Sequence, residues 1–131
     1  MSTQTIPASS AVVLFGHGAR DPEWARPMQR IRACLLAAAD APAVELAFLE
    51  FMQPDLPAAV SALVARGVDR IAIVPVFLAQ GGHLKRDLPQ LLDEIRLRHP
   101  GCTITLARAA GEAESVIAAM ADYARDCLHA D

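Results

Sequence analysis

The stretch that most constrains the fold is residues 71–89, IAIVPVFLAQGGHLKRDLP. It begins with the apolar and mostly β-branched run IAIV, in which no polar residue alternates with the apolar ones. A continuous run of this kind is typical of a strand that is covered on both faces within a parallel sheet. The sequence therefore predicts an α/β protein with this strand near the centre of its sheet.

The end of this strand carries the first chemical signal. Gly81 and Gly82 are expected to let the backbone turn in ways that a side chain would prevent. They would place His83 at the carboxyl edge of the sheet, where open α/β folds bind their ligands. Asp87 and Pro89 then predict the N-terminus of the next helix.

The rest of the chain alternates in the same way between strands and helices. Three further strands are predicted at residues 12–15, 44–51 and 102–107. Helices are predicted to begin at Asp21-Pro22 and at Pro54-Asp55, because an acidic cap beside a proline is typical of a helix start. The last helix carries an apolar stripe formed by Val116, Ile117, Met120, Ala121, Ala124 and Leu128.

The resulting order βαβαβαβα predicts a fold of the α/β class. Right-handed crossovers between parallel strands would give a three-layer sandwich. Its four-stranded parallel sheet is expected to be of flavodoxin-like type, order 2-1-3-4. A chain of 131 residues is expected to form one domain. We expect residues 1–10 to be frayed and residues 11–131 to form that domain.

Composition excludes several classes of function. No apolar run approaches the roughly 20 residues that a membrane span needs, and the N-terminus lacks a signal-peptide pattern. The net charge of −3 comes without a basic block, which argues against nucleic-acid binding. The three cysteines form no C-x-x-C pair, so neither a disulfide framework nor a thiolate zinc site is expected. These features predict a cytoplasmic protein.

Three candidate metal ligands follow the first three predicted strands: His17, Glu50 and His83. Successive members are 33 residues apart, which corresponds to one strand-helix unit. Neighbouring parallel strands would present them at one edge of the sheet. Two imidazoles and one carboxylate suit a divalent ion such as Co²⁺, Ni²⁺, Fe²⁺ or Zn²⁺.

Ordinary structural roles compete with this interpretation. A single histidine is more often a hydrogen-bonded side chain than a ligand, and Glu50 would also be explained as a solvated carboxylate at a strand end. The paired arrangement of His17 and His83, each beside glycine after a strand, favours a shared site. His99 and His129 are predicted to have no functional role.

Three segments resemble the small sirohydrochlorin chelatases of the CbiX type, which are class II chelatases. They are GHGAR after the first strand, FLEFMQPDL in and after the second, and VPVFLAQGGHLKRDLP in and after the third. The resemblance implies insertion of a divalent metal into sirohydrochlorin, in cobalamin or siroheme biosynthesis. It implies that His17 and His83 contact the metal, with Glu50 as the acidic partner.

The resemblance also implies a substrate, a metal and an assembly. The metal would be a substrate, cobalt by resemblance and iron or nickel as alternatives, with no permanently bound cofactor. A chain of this length would form a homodimer with its site near the subunit contact. The family commonly has serine where this chain has Ala19, so a hydroxyl contact there would be absent.

A substrate rich in carboxylates would need positive charge near the two histidines. Arg20, Lys85 and Arg86 flank the histidine segments, and we expect them, together with Gly81 and Gly82, to bind substrate. Each of the three cations would equally be explained as a solvated residue at a helix start. Apolar surface for a flat macrocycle is expected from Trp24, Met52, Phe77 and Leu78, although core packing is the commoner use of such residues.

Two other functions compete with a chelatase. A histidine-phosphatase-like hydrolase also places a histidine after its first strand, but it needs an arginine directly before it, where this chain has Gly16. A non-catalytic module that binds a tetrapyrrole or a metal would use the same three ligands. Nucleotide binding is disfavoured because no strand is followed by a glycine-rich phosphate loop.

Overall fold

Strands and helices alternate along the whole of the described chain. The computed structural model describes residues 9–129. The strands are β1 (Ser10–Gly16), β2 (Ala43–Phe48), β3 (Arg70–Pro75) and β4 (Thr103–Leu106). The helices are α1 (Arg26–Leu36), α2 (Leu56–Ala65), α3 (Gly82–Arg98) and α4 (Glu114–Asp126), and 3-10 turns lie at Pro22–Ala25, Ala110–Glu112 and Cys127–His129. Within residues 9–129, none of the helices has the length and apolar character to cross a membrane.

The four strands form one parallel sheet in the order β2-β1-β3-β4. Val13 in the middle of β1 lies opposite Glu45 of β2 on one side and Ile73 of β3 on the other. The predicted α/β class, strand order and parallel pairing are therefore confirmed. This order makes β1 and β3 the central pair, and both end at the same edge of the sheet.

The larger core lies between the sheet and the pair α2 and α3. Side chains of a strand alternate between faces, and on this face Val13 and Ile73 are fully buried. They pack with Leu63 of α2 and Leu92 of α3 in one continuous cluster. Burial of each such side chain contributes about 1.5–3 kcal/mol, which makes this face the principal source of stability.

The opposite face of the sheet is only partly covered. Leu14 and Val44 pack there against Met28 of α1 in a smaller cluster. Beyond α1, Ala72 and Val74 of β3 remain half-buried, while Thr103 and Thr105 of β4 are exposed. These four positions are called the open face below.

The last helix does not cover this open face. α4 has no buried residue, and its main contacts are with the 3-10 turns before and after it. The predicted apolar stripe is present but exposed, since Ile117 is 44% and Met120 48% accessible. The third layer of the predicted sandwich is thus supplied by α1 alone within residues 9–129.

The predicted helix starts agree with the structure at two of three places. The Asp21 carboxylate accepts a hydrogen bond from the backbone N–H of Glu23 at 2.9 Å, before a 3-10 turn that leads into α1. The Asp55 carboxylate accepts one from Ala58 at 2.9 Å and caps α2. Such caps contribute about 1 kcal/mol each because they satisfy backbone donors that a helix leaves unpaired.

The third predicted helix start is wrong. α3 begins at Gly82 rather than at Asp87, with Gly81 as its extended N-cap. The N–H of Lys85 already donates to the carbonyl of Gly81 at 2.9 Å. Pro89 lies inside the helix and has no backbone N–H to donate to the Lys85 carbonyl. Because Lys85 is exposed, water can donate to that carbonyl instead.

Other boundaries differ by smaller amounts. β2 ends at Phe48, three residues before the predicted end at residue 51. Of the segment expected to be frayed, residues 1–8 lie outside the described residues, whereas Ser10 already pairs with Arg70 as part of the sheet.

Candidate active site

The loop after β1 carries His17 and is tied to the loop after β2. The carbonyl of Gly16 accepts a hydrogen bond from Leu49 at 2.9 Å, and that of His17 accepts one from Glu50 at 3.0 Å. Parallel pairing thus continues past the ends of both strands. As a result, His17 and Glu50 lie on adjacent backbone segments at the carboxyl edge of the sheet.

Gly18 makes this close approach possible. Its φ of +88° lies in the left-handed region, and a Cβ at this position would collide with the backbone carbonyl oxygen of Glu50. The glycine after His17 is therefore required by the geometry of the two loops.

The His17 imidazole is held against an aromatic ring. It stacks on Phe77 with ring centroids 4.3 Å apart and an interplanar angle of 30°. Phe77 is buried, its ring packs near Phe15 at 6.0 Å, and its carbonyl accepts a hydrogen bond from Gly111 at 2.8 Å. The imidazole itself is exposed, so a ligand can reach its nitrogens while Phe77 fixes the plane of the ring.

The loop after β2 presents an apolar and a cationic group side by side. Phe51 adopts a φ of 67°, which is unusual for a residue other than glycine, and its side chain is 57% exposed. The Arg20 guanidinium lies over this ring, 4.7 Å from its centroid. Leu49 and Leu78 are also exposed at 44% and 67%, so this edge offers apolar surface beside the histidine.

His83 lies on the first turn of α3 and not in a loop after glycines. Its side chain is exposed, as are those of Lys85 and Arg86. The N-terminus of α3 adds the partial positive charge of its unpaired backbone donors. A carboxylate-bearing ligand would therefore meet favourable potential next to this histidine.

The two glycines before His83 differ from the expectation. Gly81 has an extended backbone with φ −72°, and a Cβ at either Gly81 or Gly82 would meet no atom within 4 Å. Neither residue uses the conformational freedom of glycine, because the helix starts directly at Gly82. The open space around them leaves room for a ligand, and their substrate-binding role remains a prediction.

The structure brings some of the predicted site residues together. A backbone hydrogen bond joins His17 to Glu50, and these residues follow β1 and β2. His83 lies on the first turn of α3, which begins at the same edge of the sheet. Within residues 9–129, no three His, Cys, Asp or Glu side chains are grouped closely enough to hold a metal ion. A preformed three-ligand centre is thus absent from this part of the chain.

The edge is also open rather than enclosed. A cavity of about 700 Å³ lies between α1 and β2 and is lined by residues such as Gln29 and Arg32. Met52, which was predicted to contact the macrocycle, lines this cavity, but none of the predicted metal ligands, cations or glycines of the site does. A ligand at the histidines would therefore contact a surface of the single chain.

The structural roles of two aromatic residues at the site were not predicted from the sequence. Phe51 was placed inside a strand, although the turn-forming Gln53-Pro54 pair nearby was a signal that the strand ends earlier. Phe77 was named for macrocycle contact, whereas it stacks on His17. The cysteines stay outside the site: burial, together with the Asp69 carboxylate, raises the pKa of the Cys102 thiol and keeps it protonated.

These features define a parallel α/β domain that presents histidines at the carboxyl edge of its sheet. The sequence model of the CbiX family matches residues 11–127. The chain belongs to the CbiX family.

Curated relatives are similar over much of the chain. A protein of Methanopyrus kandleri named sirohydrochlorin cobaltochelatase is 43% identical over 82 residues, 63% of this chain and 57% of the relative. One of the same name from Saccharolobus solfataricus is 38% identical over 111 residues, 80% of this chain and 85% of the relative. The chain thus spans little more than half the length of the Methanopyrus relative.

Solved structures share the fold. A CbiX protein described as a putative cobalamin biosynthesis protein from Marinobacter aquaeolei has a TM-score of 0.79 and 27% identity, over 92% of this chain and 98% of that one. The sirohydrochlorin chelatase SirB of Bacillus subtilis, solved with cobalt, has a TM-score of 0.73 and 28% identity. The match covers 89% of this chain but 50% of SirB, which is therefore about twice as long.

Proposed function

We propose that this chain is a chelatase that inserts a divalent metal, Co²⁺ in the first instance, into sirohydrochlorin. The observation that carries the proposal is the exposed His17 imidazole, which stacks on Phe77 at the carboxyl edge of the sheet. The match to the CbiX family supports it. The names of the relatives from Methanopyrus and Saccharolobus support both the substrate and the metal.

The chemistry requires the ion to lose water, two pyrrole N–H groups to lose protons and the macrocycle to bend toward the metal. A neutral imidazole can coordinate the ion or accept a proton near neutral pH. We assign these tasks to His17 and His83, without dividing them between the two. Glu50, joined to the backbone of His17, would pass protons on to solvent.

The lack of a three-ligand group within residues 9–129 suits a transfer reaction. A complete set of protein ligands would hold the ion tightly and compete with the macrocycle. Two or fewer protein ligands can deliver the metal and then release it as the pyrrole nitrogens complete its coordination. In this proposal the cation is a substrate and never a resident cofactor.

Substrate orientation would come from the charges and apolar side chains around the histidines. Arg20, Lys85 and Arg86 can pair with the carboxylates of the tetrapyrrole. The exposed side chains of Phe51, Leu49 and Leu78 can contact the flat macrocycle. The same reaction serves a cobalt or an iron branch of tetrapyrrole synthesis, and a structure of Bacillus subtilis SirB with Fe³⁺ makes iron the alternative metal to test.

We further propose a homodimer as the active form. The histidine edge is an open surface in the single chain, and a macrocycle needs contacts on more than one side. SirB, at about twice the length, has room for a second unit of this size in one chain.

The proposal is tested by removing each imidazole. His17→Ala and His83→Ala should each lower the rate of Co²⁺ insertion at least about 100-fold, because a ligand or base is lost from the transition state. The absorbance change of sirohydrochlorin reports the reaction, and circular dichroism reports the fold. His99→Ala is the matched control: it deletes an imidazole that contacts Ser61 at the far end of α3.

The same assay separates turnover from simple binding. More than one metallated product per subunit is expected from an enzyme, and at most one from a binding module. Full activity in His17→Ala or in His83→Ala would remove that residue from the mechanism. Repeating the rates with Fe²⁺ and Ni²⁺ under anaerobic conditions ranks the metals.

A further inference from the structure

We propose that α4 docks onto a second copy of this chain, where it fills a groove between α1 and the open face of the sheet. The inference rests on the homodimer proposed above and adds the surface that forms it. Two apolar surfaces of the chain, the stripe along α4 and the groove beside α1, are left uncovered by the rest of the described residues.

The first surface is the apolar stripe of α4. Ile117 and Met120 are about half exposed, and Tyr123 and Leu128 are exposed at 73% and 83%. Ile117, Met120, Ala124 and Leu128 follow one another at steps of three or four residues along α4 and the 3-10 turn that continues it, so these exposed side chains form a continuous stripe. From Ile117 to Leu128 it is about 17 Å long at the rise of a helix.

The second surface is the groove beside α1. Three cavities of about 340, 370 and 340 Å³ line this side of the molecule. The first lies between Trp24 and Val76, the second along Ile31 and Cys34, and the third against Ala72, Thr103 and Thr105. The α1 flank from Trp24 to Cys34 is about 15 Å long, which matches the stripe of α4.

The groove lies on the side of α1 that faces β3. On the other side of α1, Arg32 donates through Nε to the carbonyl of Val44 in β2 at 2.8 Å. The flank with Pro27 and Ile31 therefore faces the opposite way, and the cavity shared by Pro27 and Val76 places it beside the residue that directly follows β3. Ile31 remains 39% exposed there.

The α4 helix of the same chain has no buried residue and its main contacts are with the turns on either side of it. The N–H of Gly111, just before α4, donates to the carbonyl of Phe77 at 2.8 Å. A Cβ at Gly111 would collide with the backbone of Leu78, so the connection lies tightly against the loop after β3. From this attachment α4 leaves without packing on the sheet.

A second copy is the occupant that the molecule itself supplies. Each copy would offer one stripe and one groove, so a symmetric exchange covers both surfaces twice. α4 carries three carboxylates, Glu114, Asp122 and Asp126, against one cation, Arg125, while the groove cavities are lined by two cations, Arg30 and Arg70, against one carboxylate, Glu23. The charges are complementary. The attachment at Phe77 would also place the partner beside the ring that supports His17.

The test compares two aspartate pairs on α4. Ile117→Asp with Met120→Asp should raise the dimer Kd at least about 100-fold, since two charges would enter an apolar groove. Ala118→Asp with Ala119→Asp adds the same charge away from the stripe and should leave the Kd within about threefold of the wild type. Light scattering of the full chain, expected at twice 14.0 kDa for the wild type, measures both.

A groove variant separates this interface from a contact between two α4 helices. Ile31→Asp should weaken the dimer as strongly as the stripe variant, whereas direct α4 pairing would leave it unaffected. Circular dichroism checks each fold, and if the double aspartate variant unfolds, Ile117→Ala with Met120→Ala should still weaken the dimer at least about tenfold.

The outcomes are distinct. A wild-type protein that stays a monomer would overturn the homodimer and this interface, while metal insertion by that monomer would leave the chelatase proposal standing. A dimer that survives Ile31→Asp, or one that survives the stripe variants, would overturn the interface alone.

Discussion

His17 and His83 lie at the same edge of the sheet, yet the fold supports them very differently. His17 sits between two glycines, is tied by its carbonyl to Glu50 and is stacked on the buried ring of Phe77. His83 is exposed on the first turn of α3 and, in the described part of the chain, stacks on no aromatic ring. One imidazole has a fixed plane before any ligand arrives, and the other can adjust to it.

The difference indicates a division between orientation and adaptation. A fixed group gives up less conformational entropy on binding, whereas a side chain with free rotamers can follow a metal as it moves into a macrocycle. A transfer reaction benefits from having both. Substitutions around each histidine can therefore test whether the rigid support of His17 matters for catalysis.

The largest effect on stability is expected from substituting the glycines next to the two histidines, Gly18 beside His17 and Gly82 beside His83. Gly18→Ala should lower the free energy of unfolding by about 2–4 kcal/mol, because the new Cβ would collide with the Glu50 carbonyl at a left-handed φ. Gly82→Ala, in open space on α3, should raise it by up to about 1 kcal/mol. Urea denaturation of both variants measures the difference, and equal stabilities would contradict the rigid loop around His17.

An intermediate effect is expected from the ring under His17. Phe77→Leu should lower kcat for metal insertion about tenfold, or about 1.4 kcal/mol in activation free energy, with little change in KM. The reason is loss of the fixed imidazole plane. Phe15→Leu is the control, since Phe15 packs on Phe77 without being the ring that stacks on His17. Similar losses of kcat in both variants would indicate a general packing defect.

The smallest effect is expected at Phe51, on the loop beside His17. Phe51→Asn should raise the free energy of unfolding by up to about 1 kcal/mol, because asparagine tolerates a φ of 67° better than phenylalanine. It should also weaken tetrapyrrole binding, which an absorbance titration measures. Leu78→Asn is the control: it introduces asparagine at another exposed position of the same edge and should not raise the free energy of unfolding.

Much of the sheet could be predicted from the sequence because its signals are local. The continuous β-branched run identified β3, and the acidic caps at Asp21 and Asp55 identified the helix starts. The strand order 2-1-3-4 was expected by analogy with flavodoxin-like sheets, and right-handed crossovers are compatible with it. The positions of His17 and His83 at one edge needed nothing more than this topology.

The remaining features depend on contacts between distant segments. Pro89 looked like a helix start because a proline is rare inside helices, and only the structure shows α3 continuing through it. The left-handed Phe51 and the stacking of His17 on Phe77 have no local signature. Periodicity revealed the stripe of α4 but could not tell which surface it would cover.

Trp24 gives the proposed groove a built-in optical reporter. It is the single tryptophan of the chain, is 38% exposed, and lies at the end of the groove nearest the site. Its indole emission would move to shorter wavelengths and resist quenching by acrylamide once a neighbouring molecule covers it. Assembly of the protein could therefore be followed by intrinsic fluorescence on dilution, without attaching a label.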